Sequence, residues 1–328
     1  MPSKRNVVIA SLLLHGVAIH ALLPGQASAV VPNAVNKPTL TYLTAERAAL
    51  LFGGYSESGA LDESWLLRSG CWQQLRVAGP PARAGHAAAY DVARSQLVLF
   101  GGSGADNNPI GDTWIFDGSA WHQRMVPGPP ARALHRMTYD PVEQRVLLFG
   151  GRSSATGPHF DDTWAWDGSE WRQVASAGPP ARFESAMSYH SSEGAAVVFG
   201  GNRAISRDFT GAALGDTWLL RGSVWREVAG PGPAPRDHHA MSHHEQRGVT
   251  VLFGGHHERM LGDTWLFGGR EWIEQVQDDG PSPRGGVPAM TYDSDRSKVL
   301  MYGGWGDNGA LRDLWEWDGV WSRAAECR

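Results

Sequence analysis

The chain has 328 residues, of which 19% are charged, and its formal net charge is -5. This balance offers no basic surface for nucleic acid, so neither DNA nor RNA is an expected partner. Length alone would favour two domains, although closed all-β architectures often exceed this length as one unit.

The first 29 residues are typical of a secretory signal peptide. Lys4 and Arg5 precede an apolar run over residues 7–23, and the small residues at 27–29 offer a cleavage site near Ala29. The run is short for a membrane span and no later stretch approaches one, so we expect a mature chain without a span, exported to the periplasm or the medium. An uncleaved N-terminal anchor helix is the alternative.

A unit of roughly fifty residues occurs six times after a short N-terminal segment at residues 30–37. Each unit contains an apolar run that ends in a glycine pair. The run is rich in β-branched and aromatic residues, which predicts a buried strand. The glycine pairs stand at residues 53/54, 101/102, 150/151, 200/201, 254/255 and 303/304.

Two tryptophans follow each glycine pair, the second six or seven residues after the first. Twelve of the 15 tryptophans occupy these two positions, as Trp114 and Trp121 do in the second unit. Two-residue turns such as Asp117-Gly118 lie between them, and such turns join antiparallel strands. With one more strand before each apolar run, the unit is predicted to be a four-stranded antiparallel meander.

One such sheet cannot exclude water from both faces, so neighbouring sheets must pack on each other. Arranged radially they form an all-β, six-bladed propeller with four-stranded antiparallel blades, whose tryptophans fill the blade interfaces. The propeller is expected to span residues 38–328, with no strand shared between the termini. The predicted blades cover about 38–79, 80–128, 129–178, 179–232, 233–280 and 281–328.

The sequence GPPAR at residues 79–83, with four similar copies, is predicted to connect the outer strand of one blade to the inner strand of the next. Proline ends a strand and stiffens this crossing, because it fixes φ and donates no hydrogen bond. The terminal arginine of each copy then reaches the region of the axis. These arginines are Arg83, Arg132, Arg182, Arg236 and Arg284.

Together, the glycine pairs, the spaced tryptophans and the proline segments ending in arginine resemble the kelch repeat family over residues 38–328. A tyrosine that many kelch units carry is replaced by Asp-Thr-Trp, as at Asp112 and Asp162. The resemblance implies that the face carrying the crossings and the loops after the glycine pairs binds peptide carboxylates or small ligands. The expected partner is a protein, a peptide or a glycan.

Candidate ligand-binding residues are the five arginines and further residues expected on the same face. Guanidinium groups suit carboxylates and phosphates. A residue repeated in five blades also fits a structural role, in which its side chain hydrogen-bonds to carbonyl groups of the neighbouring blade. We favour this structural role for the arginines and the histidines. The further candidates are His86, His135, His239, Arg203 and Trp305.

The symmetry breaks in blades 4 and 5. The longest loop after a glycine pair is residues 202–215 of blade 4, which contains Arg207 and Asp208. Two residues beyond the arginine, blade 4 carries Glu184 and blade 5 carries His238. We expect this pair at equal height near the pore, where it could act as general acid and base.

Blade 5 is rich in histidines, but no metal site and no cofactor are predicted. Neighbouring residues of a strand point to opposite sides, so His243 and His244 cannot face one ion. Galactose oxidase shares the kelch fold, yet its copper site needs a tyrosine cross-linked to a cysteine and a ligand from a further domain. Cys71 is expected on the wrong face for that role, and a copper oxidase is not predicted.

The two cysteines, Cys71 and Cys327, are expected in an oxidising compartment, where a disulfide is permitted. Cys71 precedes an outer strand and Cys327 follows the equivalent strand of the last unit. This places them near opposite rims, so the unpaired alternative is favoured.

Two functions follow as hypotheses. The leading one is an exported, non-catalytic propeller that presents one face to a partner. The alternative is an isomerase or epimerase, similar to the exported sialic acid mutarotases, that acts on an anionic small molecule or sugar in the axial funnel.

Overall fold

A computed structural model of the chain describes residues 31–154, 157–175, 177–204, 212–325 and 327. The predicted signal peptide, its cleavage near Ala29, and the loop residues Arg207 and Asp208 lie outside the described residues. Among the described residues, no helix has the length and apolar character needed to cross a membrane.

Blade 1 comprises four strands, with a small hairpin between the second and third of them. These are β1 (Thr39–Leu43), β2 (Ala48–Phe52), the hairpin β3 (Tyr55–Ser56) and β4 (Gly59–Ala60), β5 (Ser64–Arg68) and β6 (Cys71–Leu75). Blade 2 comprises β7 (Ala87–Asp91), β8 (Gln96–Phe100), β9 (Thr113–Phe116) and β10 (Trp121–Arg124). Blade 3 comprises β11 (Arg136–Asp140), β12 (Arg145–Phe149), β13 (Thr163–Trp166) and β14 (Trp171–Ala175).

The other three blades repeat the same order. Blade 4 comprises β15 (Ala186–His190), β16 (Ala195–Asn202), β17 (Ala213–Arg221) and β18 (Val224–Val228). Blade 5 comprises β19 (Ala240–His244), β20 (Val249–His257), β21 (Arg259–Phe267) and β22 (Trp272–Gln275). Blade 6 comprises β23 (Ala289–Asp293), β24 (Lys298–Tyr302), the hairpin β25 (Trp305–Gly306) and β26 (Gly309–Ala310), β27 (Leu314–Trp317) and β28 (Trp321–Arg323). Short 3-10 turns at Ser191–Glu193 and Glu245–Arg247 join the first two strands of blades 4 and 5.

These six sheets pair antiparallel throughout, which confirms the predicted all-β, six-bladed propeller with four-stranded blades. The apolar core lies between neighbouring blades. Leu50 and Phe52 of blade 1, for example, pack against Leu99, Phe116 and Trp121 of blade 2. Both faces of each sheet are covered in this way, which explains why the second strands are continuous apolar runs.

The second tryptophan of a blade also makes a polar contact with the preceding blade. Its indole N–H donates to a hydroxyl on the third strand of that blade, at 2.9 to 3.1 Å. A buried tryptophan thus finds a partner for its one polar atom. The five pairs are Trp121 to Ser64, Trp171 to Thr113, Trp225 to Thr163, Trp272 to Thr217 and Trp321 to Thr264.

The segment before β1 closes the ring between blades 6 and 1. Val35 donates its N–H to the carbonyl of Leu311 and accepts from the N–H of Gly304. Arg83 makes the same main-chain bonds to Leu61 and Gly54 between blades 1 and 2. Residues 33–37 are therefore the sixth crossing, in which valine replaces the arginine.

Cys71 and Cys327 form a disulfide, with their Cα atoms 4.8 Å apart. The expectation that they lie near opposite rims was wrong. Because the ring is closed, blade 6 is the neighbour of blade 1, and the chain leaves its last strand after Arg323. It then turns toward the outer hairpin of blade 1, where the carbonyl of Ala325 lies against Gly70.

Candidate ligand-binding site

The five predicted arginines lie inside the blades rather than on the surface. Arg83 donates from Nη1 and Nη2 to the two carboxylate oxygens of Asp112, at 2.6 and 2.9 Å. Its Nη1 also donates to the carbonyl of Gly101, and its Nε donates to that of Pro81. The other pairs are Arg132 with Asp162, Arg182 with Asp216, Arg236 with Asp263, and Arg284 with Asp313.

These arginine side chains are at most 1% exposed, so the predicted contact between ligand and guanidinium does not fit the structure. The structural role weighed beside it does fit. Each main chain contacts one blade while its guanidinium binds the next. The repeated Asp-Thr-Trp motif supplies the acceptor, and the same aspartate accepts the indole N–H of the first tryptophan, as Asp112 does from Trp114 at 2.7 Å.

Four of the paired aspartates remain ionised although they are largely buried. Burial alone would raise the pKa of each carboxyl, but the hydrogen bonds and charge of the paired arginine lower it below its usual range. This holds for Asp162, Asp216, Asp263 and Asp313.

The three predicted histidines are also part of the core. His86, His135 and His239 are buried, and their rings meet phenylalanine rings edge-on at 5.3 to 5.6 Å between centroids. Burial, assisted by the charge of the neighbouring arginine, lowers the pKa of all three, and that of His86 falls to about 3. Their rings are neutral and pack in the core, which fits the structural role, while His86 and His239 also line a small axial chamber. Their binding of a ligand stays a prediction.

A closed girdle of backbone hydrogen bonds surrounds the pore on the face that carries the crossings, which we call the crossing face. One residue of each crossing, two places beyond the arginine in blades 2 to 5 and three places beyond it in blade 6, has a left-handed backbone, with φ between 52° and 65°. Its N–H donates to the corresponding residue of the preceding blade, as Leu134 does to Gly85 at 2.7 Å; Lys37 donates instead to Gly286. The girdle residues are Lys37, Gly85, Leu134, Glu184, His238 and Val287.

The girdle brings the predicted pair together at the mouth of the pore. Glu184 Oε1 lies 2.8 Å from His238 Nε2, and Asp237 Oδ1 lies 2.7 Å from His238 Nδ1. Lys37 Nζ lies 3.0 Å from the same Glu184 oxygen. Blades 1 and 4 are opposite each other in a six-bladed ring, so the contact between Lys37 and Glu184 crosses the pore.

Lys37 was missed from the sequence because the sixth crossing lacks the arginine that marks the other five. The signal that could have found it is the proline that follows: Lys37-Pro38 in blade 1 matches Val287-Pro288 in blade 6.

The cluster favours charged forms of both members of the pair. Burial would raise the pKa of Glu184, but the charges of His238 and Lys37 outweigh it and hold the pKa well below its usual value. Burial would lower the pKa of His238, but the Glu184 carboxylate and the hydrogen bond to Asp237 raise it to about 8. At neutral pH the site is therefore a closed network of two anions and two cations.

Glu184, Asp237 and His238 also bring possible ligand atoms within 4.8 Å of one another, a spacing that could hold a cation. Lys37 already supplies positive charge to Glu184, and both ring nitrogens of His238 contact carboxylates. These residues balance one another without an ion.

A pocket of about 330 Å³ lies beside this network, between blades 5, 6 and 1. Its wall combines apolar and polar groups, with the Trp305 side chain 42% exposed at its edge. The lining includes Asn36, Lys37, His238, His256, Met260 and Trp305. Arg203 is exposed in blade 4, where its N–H donates to Ala212, and it is not part of the described lining.

Residues 39–228 match the KLHDC2/KLHL20/DRC7 kelch-repeats domain family. The match runs from the first strand of blade 1 to the last strand of blade 4 and covers more than half of the chain. No curated protein matches the chain.

Proposed function

Since the chain belongs to the kelch-repeat family, whose propellers commonly serve as protein-interaction modules, we propose that it binds a protein, peptide or glycan through its crossing face. We also propose that it is exported after cleavage near Ala29. The disulfide between Cys71 and Cys327 supports export, because such bonds persist in oxidising compartments.

The observation that carries the binding proposal is the break in symmetry around the pocket. The residue after each glycine pair bridges to the crossing beside it. Exposed aromatic residues take this position in blades 1 and 6, and Trp305 of blade 6 lines the pocket whereas Tyr55 of blade 1 is not in its described lining. An exposed indole next to Met260 offers apolar contact area, and Lys37 and His238 offer donors. Aromatic anchors surrounded by polar groups are the usual centre of a binding interface.

The test uses residues 30–328 to select ligands from a displayed random-peptide library and from a glycan array. We expect the selected ligands to lose about tenfold or more in affinity with Trp305→Ala, the loss typical of an anchoring side chain. Val320→Ala is the control, because Val320 is also an exposed apolar residue of blade 6 but lies in the turn before β28, away from the crossing face. Selected ligands whose affinity is unchanged by Trp305→Ala would contradict the proposal.

The alternative is an isomerase or epimerase that uses Glu184 and His238. Their 2.8 Å contact favours it, since acid and base must act together. Their ionisation argues against it: a carboxylate with a strongly lowered pKa is a weak base, and both side chains are held by other partners. Turnover of an acidic sugar by the purified protein, abolished by Glu184→Gln, would establish the enzyme and displace the non-catalytic proposal.

A further inference from the structure

The axial channel is closed on the crossing face and open on the opposite face. On the crossing face, the contact of Glu184 with Lys37 spans the pore, His238 of the adjacent blade contacts Glu184 beside it, and the side chain of Leu134 covers Gly85. The opposite face carries the hairpins between the first and second strands, and we call it the hairpin face. Here the channel widens into a cavity of about 650 Å³, so the channel is a blind funnel.

Methionines form the floor of the funnel. Met137, Met187, Met241 and Met290 occupy the same position in four blades, and all four line both the funnel and a smaller chamber of about 100 Å³ nearer the girdle. Thioether side chains are apolar and adaptable, so this collar gives the wider cavity an apolar base, and His86, Arg136 and His239 line the smaller chamber below it.

The wall above the methionines carries hydroxyl groups. The next residue along each first strand is Thr41, Thr138, Ser188, Ser242 or Thr291 in five blades, and all five line the funnel. The Thr291 hydroxyl accepts the N–H of Tyr42, whereas the hydroxyls of Thr138, Ser188 and Ser242 have no hydrogen-bond partner among the described residues. Each first strand pairs on one side only, so its other backbone edge also faces the axis.

Tyrosines follow the hydroxyls toward the mouth of the funnel. Tyr42, Tyr139, Tyr189 and Tyr292 line it at equivalent positions. The hydroxyl of Tyr139 accepts the N–H of Ala93 in the preceding blade, so this ring is held as part of the wall. The funnel therefore alternates apolar surface with hydrogen-bonding groups.

The funnel provides almost no charge. Glu245, at the rim, is the one carboxylate among its described lining residues. Burial and the neighbouring His190 lower the pKa of His243 to about 3, so its ring is neutral. The aspartates that end the first strands of blades 2, 3 and 6 are paired with arginines and do not line the cavity. Arg136 lines the smaller chamber below, where its Nε and Nη1 donate to the carbonyls of Ser185 and His135. Within the wider cavity, an ionic ligand would lose its hydration without gaining an opposite charge.

We propose that this funnel binds the end of a neutral sugar. A pyranose has apolar C–H faces and a rim of hydroxyls. The methionine and tyrosine side chains of the funnel can pack against the C–H faces, and its free hydroxyls and strand edges can hydrogen-bond to the sugar hydroxyls. A cavity of this size accommodates a small molecule of one or two rings. This site lies on the other face from the proposed partner site and does not depend on it.

The experiment measures binding of methyl α-D-glucoside, methyl β-D-galactoside and maltose by calorimetry and saturation-transfer NMR. Glucuronate and glucosamine serve as anionic and cationic counterparts. We expect at least one neutral probe to bind at millimolar or lower concentration, and both charged probes to bind more weakly. Thr138→Val and Ser242→Ala should each weaken binding by about 2- to 10-fold, the effect of one lost hydrogen bond.

Trp305→Ala, on the crossing face, should leave sugar binding unchanged, which separates this site from the partner site. The proposal is overturned if no neutral probe binds at concentrations up to about 10 mM, where a ligand with a millimolar Kd would nearly saturate the site. It is also overturned if a charged probe binds more tightly, or if Trp305→Ala abolishes binding while Thr138→Val and Ser242→Ala do not affect it.

Discussion

At the scale of single residues, the blades are joined by buried arginines whose charge is balanced within the protein. Arg132 contacts both carboxylate oxygens of Asp162, at 2.6 and 2.8 Å, and also the carbonyl of Gly150. A buried charge that loses its partner is costly, typically about 3–5 kcal/mol, because the remaining group stays out of water without compensation. The aspartate is therefore the sensitive member of the pair.

We predict that Asp162→Asn lowers the free energy of unfolding by about 3 kcal/mol, measured by urea denaturation. The matched control is Glu63→Gln in blade 1. Glu63 takes the equivalent position and accepts the indole N–H of Trp65, but Val35 replaces the arginine there. Glu63→Gln should lower the free energy of unfolding by less than about 1 kcal/mol, since the amide oxygen of glutamine can accept the same indole N–H. Equal losses in the two variants would show that the buried ion pair is not the source of the effect.

At the scale of the blade, the interface between blades 6 and 1 differs from the other five. Val35 replaces the arginine, and Leu314 stands where the other blades carry a hydroxyl, so the indole of Trp72 packs against Tyr302 instead of donating to threonine. The disulfide between Cys71 and Cys327 joins the same two blades. A covalent bond thus stands at the interface that lacks both repeated polar contacts.

Removing this disulfide should destabilise the ring more than its position near the C-terminus suggests. The bond closes a loop of 256 residues, and closing a long loop restricts the unfolded chain. Such bonds typically contribute about 2–5 kcal/mol. We predict a loss in this range for the double change Cys71→Ser and Cys327→Ser, measured by urea denaturation. A reducing agent should lower the free energy of unfolding of the disulfide-bonded protein to that of the double variant. It should leave the double variant unaffected.

The blades could be predicted from the sequence because their pattern is local: glycine pairs, apolar runs and paired tryptophans each recur within one unit. The proximity of Glu184 and His238 followed from the same alignment, since equivalent positions of adjacent blades meet around the pore. The partners of the arginines could not be predicted, because Asp112 follows Arg83 by 29 residues and no local pattern connects them. The disulfide was missed because it depends on the path of the last few residues, which have no repeat to follow.

At the scale of the whole molecule, histidines determine how the free energy of unfolding changes with pH, and they act in two opposite directions. Burial lowers the pKa of His86, His135, His190, His239, His243 and His244. The unfolded chain binds protons at these positions below about pH 6.5, whereas the folded protein does not. Stability from these residues is therefore present above that pH and is lost as the pH falls. His238 behaves in the opposite way, because its raised pKa of about 8 stabilises the fold fully below about pH 6.5, and this contribution is lost as the pH rises from there through about 8.

We therefore predict that the free energy of unfolding, measured by urea denaturation across the pH range, is highest between about pH 6.5 and 8. It should fall by several kcal/mol toward about pH 5, since each buried histidine can contribute up to about 1.4 kcal/mol per pH unit. The alkaline fall should be smaller, about 1–2 kcal/mol, because it comes from His238. His238→Gln separates the two limits: it should remove the alkaline fall between pH 7 and 9 and leave the acid fall intact. An unchanged alkaline fall in this variant would show that the network at the pore mouth does not hold a proton on His238.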